Sequence, residues 1–308
     1  MRTFFAPLAK YLLLTCAVLF LGITACSEKK KTTIIIHDGQ FAETRIIHQM
    51  VKQLVEAKTS LTVDIRDEMS PVNSFNQLVR ADADLMNSYD GTVLTTFLKL
   101  DPKDVPPSST LYNYVNQILL EKYKLRLLNK LGTNNTYVVA ATSAVVDKYR
   151  LQKTSDLKPV ASVLVFGAEH EFFSLEGSAR FKPFSEFYDL KFKDTKSIDL
   201  SLKYYAIESK NIDVTVTYAT DGMSKTVQLV ILEDDRHFFP EYNGALLVRD
   251  GLFAEVREIA PNLEEILNKL EGIFTDESMR DLSYQVDVEG RTPEEMARKV
   301  LQEKGLLP

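Results

Sequence analysis

The sequence predicts an α/β protein, and three observations carry this prediction. Short apolar runs typical of buried strands alternate with longer segments in which apolar residues recur every three or four positions, as on one face of a helix. At the start of the chain these segments follow the order β-α-β-α-β, which indicates a parallel sheet with crossover helices. The chain has 308 residues, of which 45% are hydrophobic, so it can form a large core in roughly two domains.

The first half begins with Thr33–Ile36, a continuous apolar run suited to a buried parallel strand. In the segment that follows, Ile46, Met50 and Leu54 are four residues apart, which predicts a helix with one apolar face. A strand, a helix and a second strand are predicted next, near residues 61–68, 75–79 and 84–91. The Pro-rich segment 101–109 is interpreted as a surface loop before a further helix.

A second α/β series occupies the rest of the chain. Strands are predicted near residues 137–141, 162–166, 213–218, 227–232 and 245–249, with helices between them and after the last one. The final helix has Thr292 as its N-cap, Pro293 as its first residue and Glu295 at the third position. Gly305 lies just beyond its end. This arrangement is a capping box with the usual asymmetry of proline and glycine, and it predicts both ends of the helix.

Residues 1–25 have the composition of a bacterial signal peptide. Basic residues precede an apolar run from Tyr11 to Gly22, which is shorter than the ~20 residues that a membrane-spanning helix needs. Small residues precede Cys26, as in a lipobox, so we expect Cys26 to carry acyl chains and residues 26–32 to tether the protein to a membrane surface. The protein is thus expected outside the cytoplasm of a bacterium, lipid-anchored to the cell membrane. An uncleaved anchor and a secretory signal with an incidental cysteine are the alternatives.

Composition and motifs exclude several classes of function. The 37 basic and 43 acidic residues give a net charge of −6 without basic clusters, so no nucleic-acid partner is expected. No nucleophile motif, zinc-ligand motif or phosphate-binding glycine loop is present, so neither an enzyme nor a cofactor is predicted. The clusters Glu233–Asp235 and Glu169–Glu171 consist of consecutive residues whose side chains diverge, so no metal site is predicted. The layout suggests a solute-binding protein of a transporter.

Several motifs resemble those of the osmoprotectant family, the substrate-binding proteins of ABC transporters for glycine betaine, carnitine, choline and related compounds. In the second half these motifs are NNTYVVAA, KTSDLKPV, FGAEHEFF, TVTYATDG, LVILEDDRHFFPEYNGALLVR and LSYQVDVEGRTPEEMARKVLQEKGLL. The first half matches more loosely, through HDGQFAETRII and ADADLMNSYDGT. The resemblance extends over nearly all of the chain after the predicted signal peptide.

The resemblance implies a type II periplasmic-binding-protein fold, in which two α/β lobes joined by two crossovers close on a ligand in the cleft between them. Lobe I would comprise residues 33–134 and 243–308, and lobe II residues 135–242. The resemblance also implies the partners, which are a small quaternary-ammonium ligand and the permease subunits of an ABC importer in the membrane. The protein is expected to be a monomer.

The family binds the quaternary ammonium in a cage of aromatic side chains. The tyrosines of the family motifs are present here as Tyr89, Tyr137, Tyr218 and Tyr242. Chemistry favours such a cage independently of the resemblance. A trimethylammonium group has no N–H to donate and a diffuse charge, and each aromatic face attracts it by ~0.5–2 kcal/mol. Most tyrosines in a protein are instead partly buried with a hydrogen-bonded hydroxyl, and these four are singled out because each lies in a recognised motif.

Three positions depart from the family pattern. Thr44 lies where the family's opening motif has a glutamine. Asp90 replaces the threonine of the family's Y-T-G-T motif and lies beside the predicted cage. Betaine-binding members are expected to carry an arginine for the ligand carboxylate, but an ungapped alignment places Leu175 there, and the nearest arginine is Arg180. Either Arg180 contacts the carboxylate from a shifted loop, or this contact is absent, which would favour choline-like ligands.

The sequence therefore predicts a binding protein that captures a quaternary-ammonium osmoprotectant in a tyrosine cage and delivers it to an ABC permease. The alternative is a surface receptor-type lipoprotein of the same fold that is not coupled to transport. A permease and an ATPase encoded beside this protein would favour the first hypothesis over the second.

Overall fold

The computed structural model describes residues 31–174 and 178–308, and Thr32–Pro308 form one compact unit. The predicted signal peptide, Cys26 and Leu175 lie outside the described residues, so the interpretations of these positions stay predictions. Among the helices of the described part of the chain, none is both long enough and apolar enough to cross a bilayer.

The described chain contains both strands and helices, as predicted for an α/β protein. The strands are β1 (Thr33–His37), β2 (Thr62–Arg66), β3 (Leu85–Tyr89), β4 (Leu125–Asn134), β5 (Tyr137–Thr142), β6 (Val165–Glu169), β7 (Asp194–Ile198), β8 (Val214–Tyr218), β9 (Leu229–Leu232) and β10 (Asn243–Arg249). The helices are α1 (Ala42–Lys58), α2 (Pro71–Val79), α3 (Leu111–Tyr123), α4 (Ser143–Tyr149), α5 (Phe181–Tyr188), α6 (Leu200–Glu208), α7 (Leu252–Glu255), α8 (Leu263–Asn268), α9 (Asp276–Asp287) and α10 (Pro293–Glu303). Short helical segments, Asp90–Thr92 and Val93–Phe97, follow β3 directly.

The described strands form three sheets. In the first, β1 and β2 are parallel and α1 connects them, as the β-α-β order predicts. The second has the order β3-β10-β4, and the third has the order β7-β6-β8-β5-β9. In the third sheet β6 is parallel to β7 and β8, whereas β5 runs antiparallel to β8 and β9.

The prediction that β3 continues a parallel sheet with β1 and β2 is wrong. Strand β3 pairs antiparallel with β10, which lies between β3 and β4. The physical reason lies in β10, where every residue after Asn243 is buried. A strand that is buried on both faces needs hydrogen-bonding partners on both sides. Asp84 still connects β1 to the start of β3, because its carboxylate accepts a hydrogen bond from the Ile35 amide and its own amide donates to the Ile35 carbonyl, both at 2.8 Å.

The other boundaries follow the predictions with local differences. The capping box of α10 is confirmed, since Thr292 accepts from the Glu295 amide at 3.1 Å and Glu295 accepts from the Thr292 amide at 3.2 Å. Strand β6 begins three residues later than predicted, because Ala161–Val163 form a 3-10 turn. Strands β4 and β7 are present in the structure but were not predicted from the sequence.

The buried apolar side chains form three clusters. One consists only of residues between Val139 and Phe239 and packs around the third sheet. The other two combine residues from the first part of the chain with residues from β10 and, in the larger one, the helices that follow it. The positions of the lobe boundaries, at 134/135 and 242/243, stay a prediction.

Candidate functional site

One edge of the third sheet brings three candidate site residues together. Strands β6 and β8 are parallel and end at Glu169 and Tyr218, and the antiparallel strand β5 begins at Tyr137. All three residues therefore lie at the edge formed by the carboxyl ends of the parallel strands. In open α/β sheets this is the edge where ligands bind.

Tyr137 and Tyr218 form a stacked pair at this edge. They are register partners in the β5–β8 ladder, their ring centroids are 5.0 Å apart, and the ring planes differ by 21°. The two hydroxyl oxygens lie 3.4 Å apart. Burial raises the pKa of both phenols, so both are neutral at physiological pH. The Tyr137 ring also packs on Phe172 and Phe239, at 5.3 and 6.0 Å between centroids, and Tyr218 remains 36% exposed.

The turn after β8 is held by Asp221. Its amide donates to the Tyr218 carbonyl at 3.1 Å, and its carboxylate accepts from the Met223 amide at 2.9 Å and from the Thr217 hydroxyl at 3.1 Å. The Tyr204 hydroxyl donates to the same carboxylate. These bonds fix the direction in which the chain leaves the strand end, and hence the position of Tyr218.

Tyr89 and Tyr242 lie at the ends of strands in the second sheet. Tyr89 is the last residue of β3 and pairs with Gly244 of β10. Tyr242 immediately precedes β10, and its amide donates to the Asn134 side chain at 2.7 Å. The Tyr242 ring lies against Gly91, where a Cβ atom would be only 2.3 Å from Cε2 of the ring. The missing side chain of Gly91 is what leaves room for this aromatic face.

Asp90, which the sequence places beside the predicted cage, is fully buried. Its carboxylate accepts hydrogen bonds from the Gly91 amide, the Asn243 amide and the Asn243 side chain, each at 2.8 Å. Burial raises its pKa. Asp90 therefore joins the end of β3 to the start of β10 and supports the residues on either side of it, Tyr89 and Tyr242.

Arg180 is the N-cap residue of α5. Its positive charge acts on Tyr137 of the third sheet and on Tyr242, which lies beside the second sheet. Burial raises the pKa of Tyr137 and of Tyr242, and the positive charge of Arg180 partly offsets this effect at both. Its Nη2 atom lies 2.8 Å from Oε1 of Glu171, and its side chain is 22% exposed. Its Nε atom is buried without a hydrogen-bond partner among the described residues.

Glu43, in the first turn of α1, is a site residue that sequence reasoning does not identify. It is 3% exposed, and its carboxylate accepts from the hydroxyls of Thr220 at 2.6 Å and Thr133 at 3.3 Å. Burial raises its pKa to about 6. In the sequence it resembles any acidic residue near a helix N-terminus, and only its place in the family-like segment HDGQFAETRII could have indicated a role.

A buried ion pair supports the sheet edge from the side of α6. The Lys203 side chain is completely buried, and its Nζ lies 2.5 Å from Oε1 of Glu169 and 3.3 Å from the Val216 carbonyl oxygen. The ammonium also lies over the Tyr204 ring, 5.0 Å from its centroid. The pair joins the last residue of β6 to the helix behind the sheet.

The acidic clusters considered for metal binding have structural partners. Asp234 accepts from the amides of Phe238 at 3.1 Å and Phe239 at 2.9 Å, and Asp235 accepts from the Ser155 amide at 3.1 Å. Over residues 31–174 and 178–308, no three His, Cys, Asp or Glu side chains are arranged to hold a metal ion.

Comparison with known proteins decides the family. Residues 32–303 match the OpuAC family, described as the substrate binding domain of ABC-type glycine betaine transport systems. The chain belongs to this family. OpuAC proteins are the extracytoplasmic substrate-binding components of bacterial ABC importers, so the family is one of transport and not of catalysis.

Individual OpuAC relatives agree with this assignment. The carnitine transport binding protein OpuCC of Listeria monocytogenes is 30% identical over 309 residues, which cover 98% of this chain and 97% of that protein. The ergothioneine transport permease/ergothioneine binding protein EgtU of Helicobacter pylori is 31% identical over 235 residues, 76% of this chain and 41% of that protein.

The fold is also that of a solved structure described as a glycine betaine/carnitine/choline ABC transporter. The TM-score is 0.79 at 26% identity, and the match covers 90% of this chain and 99% of that one. The protein therefore has the predicted fold, with two α/β lobes as in periplasmic solute-binding proteins.

Proposed function

We propose that this protein captures a quaternary-ammonium osmoprotectant between its lobes and delivers it to an ABC permease. The observation that carries the proposal is the stacked pair of Tyr137 and Tyr218 at the ligand-binding edge of the third sheet. Both rings are neutral and one remains partly exposed, which suits a diffuse cation better than a substrate that needs a nucleophile or a base.

Tyr89 and Tyr242 would complete the cage from the second sheet. Support for this comes from Gly91, whose lack of a side chain makes room for the Tyr242 ring, and from Arg180, whose charge acts on both Tyr137 and Tyr242. Each aromatic face contributes ~0.5–2 kcal/mol to cation binding, and more when closure of the lobes removes water.

Arg180 is the candidate contact for a ligand carboxylate. Its buried Nε–H has no partner among the described residues and its Nη2 is paired with Glu171, so a carboxylate could accept a charge-assisted hydrogen bond from it. Glycine betaine, carnitine and ergothioneine carry such a carboxylate, whereas choline does not. Arg180 would therefore favour zwitterionic ligands.

The proposal includes the predicted setting of the protein. Acyl chains on Cys26 would hold it at the outer surface of the cell membrane, and it would act there as a monomer beside the permease. Labelling with a palmitate analogue in cells tests the anchor. Label on the wild type and none on Cys26→Ala supports it, and label on neither contradicts it.

Calorimetric titration of the purified protein tests the ligand class. The ligands are choline, carnitine, glycine betaine, proline betaine and ergothioneine, and the control is the neutral tert-butyl analogue of choline. We expect saturable binding of at least one cation and at least tenfold weaker binding of the neutral analogue, corresponding to ~1.4 kcal/mol. No saturable heat with any of these cations would contradict the proposal.

A further inference from the structure

The carboxylate of Glu43 lies where several separate segments of the chain meet. It accepts from Thr220 Oγ1 at 2.6 Å, Thr133 Oγ1 at 3.3 Å and Asn135 Nδ2 at 3.4 Å. The Tyr89 hydroxyl lies beside it and interacts with it electrostatically. The two carboxylate oxygens thus serve three donors, from β4, the β4–β5 connection and the turn after β8.

Each of these segments leads to a tyrosine of the proposed cage. Tyr89 itself interacts electrostatically with Glu43. Thr220 follows Tyr218 by two residues, and Asn135 precedes Tyr137 by two. The Asn135 amide also donates to the Tyr242 carbonyl at 2.9 Å. Glu43 is therefore next to Tyr89, and through Thr220 and Asn135 it is linked to the segments that carry the other three tyrosines.

We propose that ionised Glu43 is a positioning residue that holds these segments together, and that binding of the cation is coupled to the release of a proton from Glu43. The proposal rests on the proposed function, because it needs a cationic ligand in the cage. It adds a residue and a pH dependence that follow from the geometry of this acid.

The coupling follows from the number of donors around the carboxylate. The ionised form accepts from all three, whereas a protonated carboxyl must place its own O–H among them and loses an acceptor site. A cation bound near Tyr89 favours the negative charge of Glu43, so it lowers the pKa of this group. Since burial has raised that pKa to about 6 in the free protein, the proton is released in the physiological range. Affinity is expected to fall as pH falls through 6.

The other titratable or charged side chains on the elements that meet at Glu43 are Tyr89 on β3, Arg45 on α1, Asp276, Arg280 and Asp287 on α9, and Asp221 after Thr220. Asp276 is the strongest competitor, because its charge further raises the pKa of Glu43 and burial raises its own. Its carboxylate accepts from the Asn134 amide at 2.6 Å. Thr133, Asn135 and Thr220 contribute no charge.

The test measures the Kd of the tightest-binding ligand among choline, glycine betaine and carnitine from about pH 5 to about pH 8, where the charge of none of them changes. For the wild type we expect Kd to rise about fivefold between pH 7 and pH 5, as for a one-unit lowering of the Glu43 pKa by the ligand. Calorimetry in buffers of different ionisation enthalpy should show proton release that is largest at about pH 5.5, midway between the pKa of Glu43 in the free protein and its lowered pKa in the complex.

Glu43→Gln should bind more weakly at pH 7 and show no change of Kd over this range. Asp276→Asn should keep the pH dependence but move it to lower pH, because loss of the Asp276 charge lowers the pKa of Glu43, and the exposed-residue control Glu265→Gln should keep the wild-type profile. A wild-type Kd and proton count that do not change with pH would overturn the proposal without any variant, as would a pH dependence that is lost in Asp276→Asn and kept in Glu43→Gln. If Glu43→Gln does not fold, the proposal is tested by proton release in the other two proteins. Release on ligand binding by both the wild type and Asp276→Asn supports it, and release by neither contradicts it. Failure of all ligands to bind would instead refute the proposed function.

Discussion

Tyr137 and Tyr218 are neighbours across the β5–β8 ladder, 81 residues apart in sequence, with ring centroids 5.0 Å apart and hydroxyls 3.4 Å apart. The ladder places the two rings side by side, and Phe172 and Phe239 pack on Tyr137. The aromatic surface at the proposed ligand-binding edge is therefore built into the sheet before any ligand arrives. Such preorganisation reduces the entropy lost on binding.

Replacement of Tyr218 by alanine should weaken ligand binding by more than tenfold, because it removes one of the two stacked faces. Since the side chain is 36% exposed, the melting temperature should change little. Tyr218→Phe keeps the face and should retain most of the affinity. Tyr205→Ala, at a 69% exposed tyrosine of α6, is the matched control. Equal losses of affinity for Tyr218→Ala and Tyr205→Ala would show that Tyr218 has no special role.

Gly91→Ala should displace the Tyr242 ring. The new Cβ would lie 2.3 Å from Cε2 of that ring, so the ring or the backbone must move, at a cost of about 1–3 kcal/mol. We expect an affinity loss of about tenfold together with a lower melting temperature. At Gly251 the nearest atom to a new Cβ is 3.4 Å away and φ is −67°, so Gly251→Ala should leave the affinity unchanged. If Gly91→Ala binds the ligand as tightly as the wild type does, Tyr242 is not part of the cage.

Arg180→Met should discriminate between ligands. Loss of a charge-assisted hydrogen bond costs about 1.5–3 kcal/mol, so the affinity for glycine betaine and carnitine should fall at least tenfold while that for choline stays within about twofold. Titration of the three ligands against wild type and variant measures this. The same fractional loss for choline as for the zwitterions would mean that Arg180 acts on the shape of the site and not on a carboxylate.

Lys203→Met should destabilise the fold by about 3–5 kcal/mol, because it leaves the Glu169 carboxylate buried without its cation. The double variant Lys203→Met with Glu169→Gln should recover part of this loss. Lys225→Met removes an exposed ion pair with Asp281 and should cost less than about 1 kcal/mol. Urea unfolding measures all three. A loss for Lys203→Met as small as that for Lys225→Met would contradict the importance of the buried pair.

Local sequence patterns predicted much of the fold. The boundaries of α10 follow from side chains within a few residues of each end, Thr292 and Gly305. The pairing of β3 with β10 joins residues more than 150 positions apart, and periodicity within one segment contains no information on it. Strand β4 escaped prediction because its ladder with β10 is interrupted by two register shifts, so its buried residues do not alternate regularly.

The candidate site shows the same difference between local and long-range information. Sequence motifs indicated Tyr137 and Tyr218, and the absence of an arginine from its expected position indicated Arg180. Glu43 could not be identified in this way, because its burial and its raised pKa arise from Thr133, Asn135 and Thr220, which come near it only after the chain has folded. Sequence reasoning identifies the aromatic rings more readily than the polar groups that orient them.

The central place of β10 has a consequence for biosynthesis. Strands β3 and β4 have no partner in common until residues 243–249 emerge from the ribosome, so their sheet cannot close before that point. The cluster between Val139 and Phe239 is complete before then and can form first. We expect the sheet that carries Tyr89 to assemble last, which would keep part of the chain unfolded, as passage through a secretion channel requires.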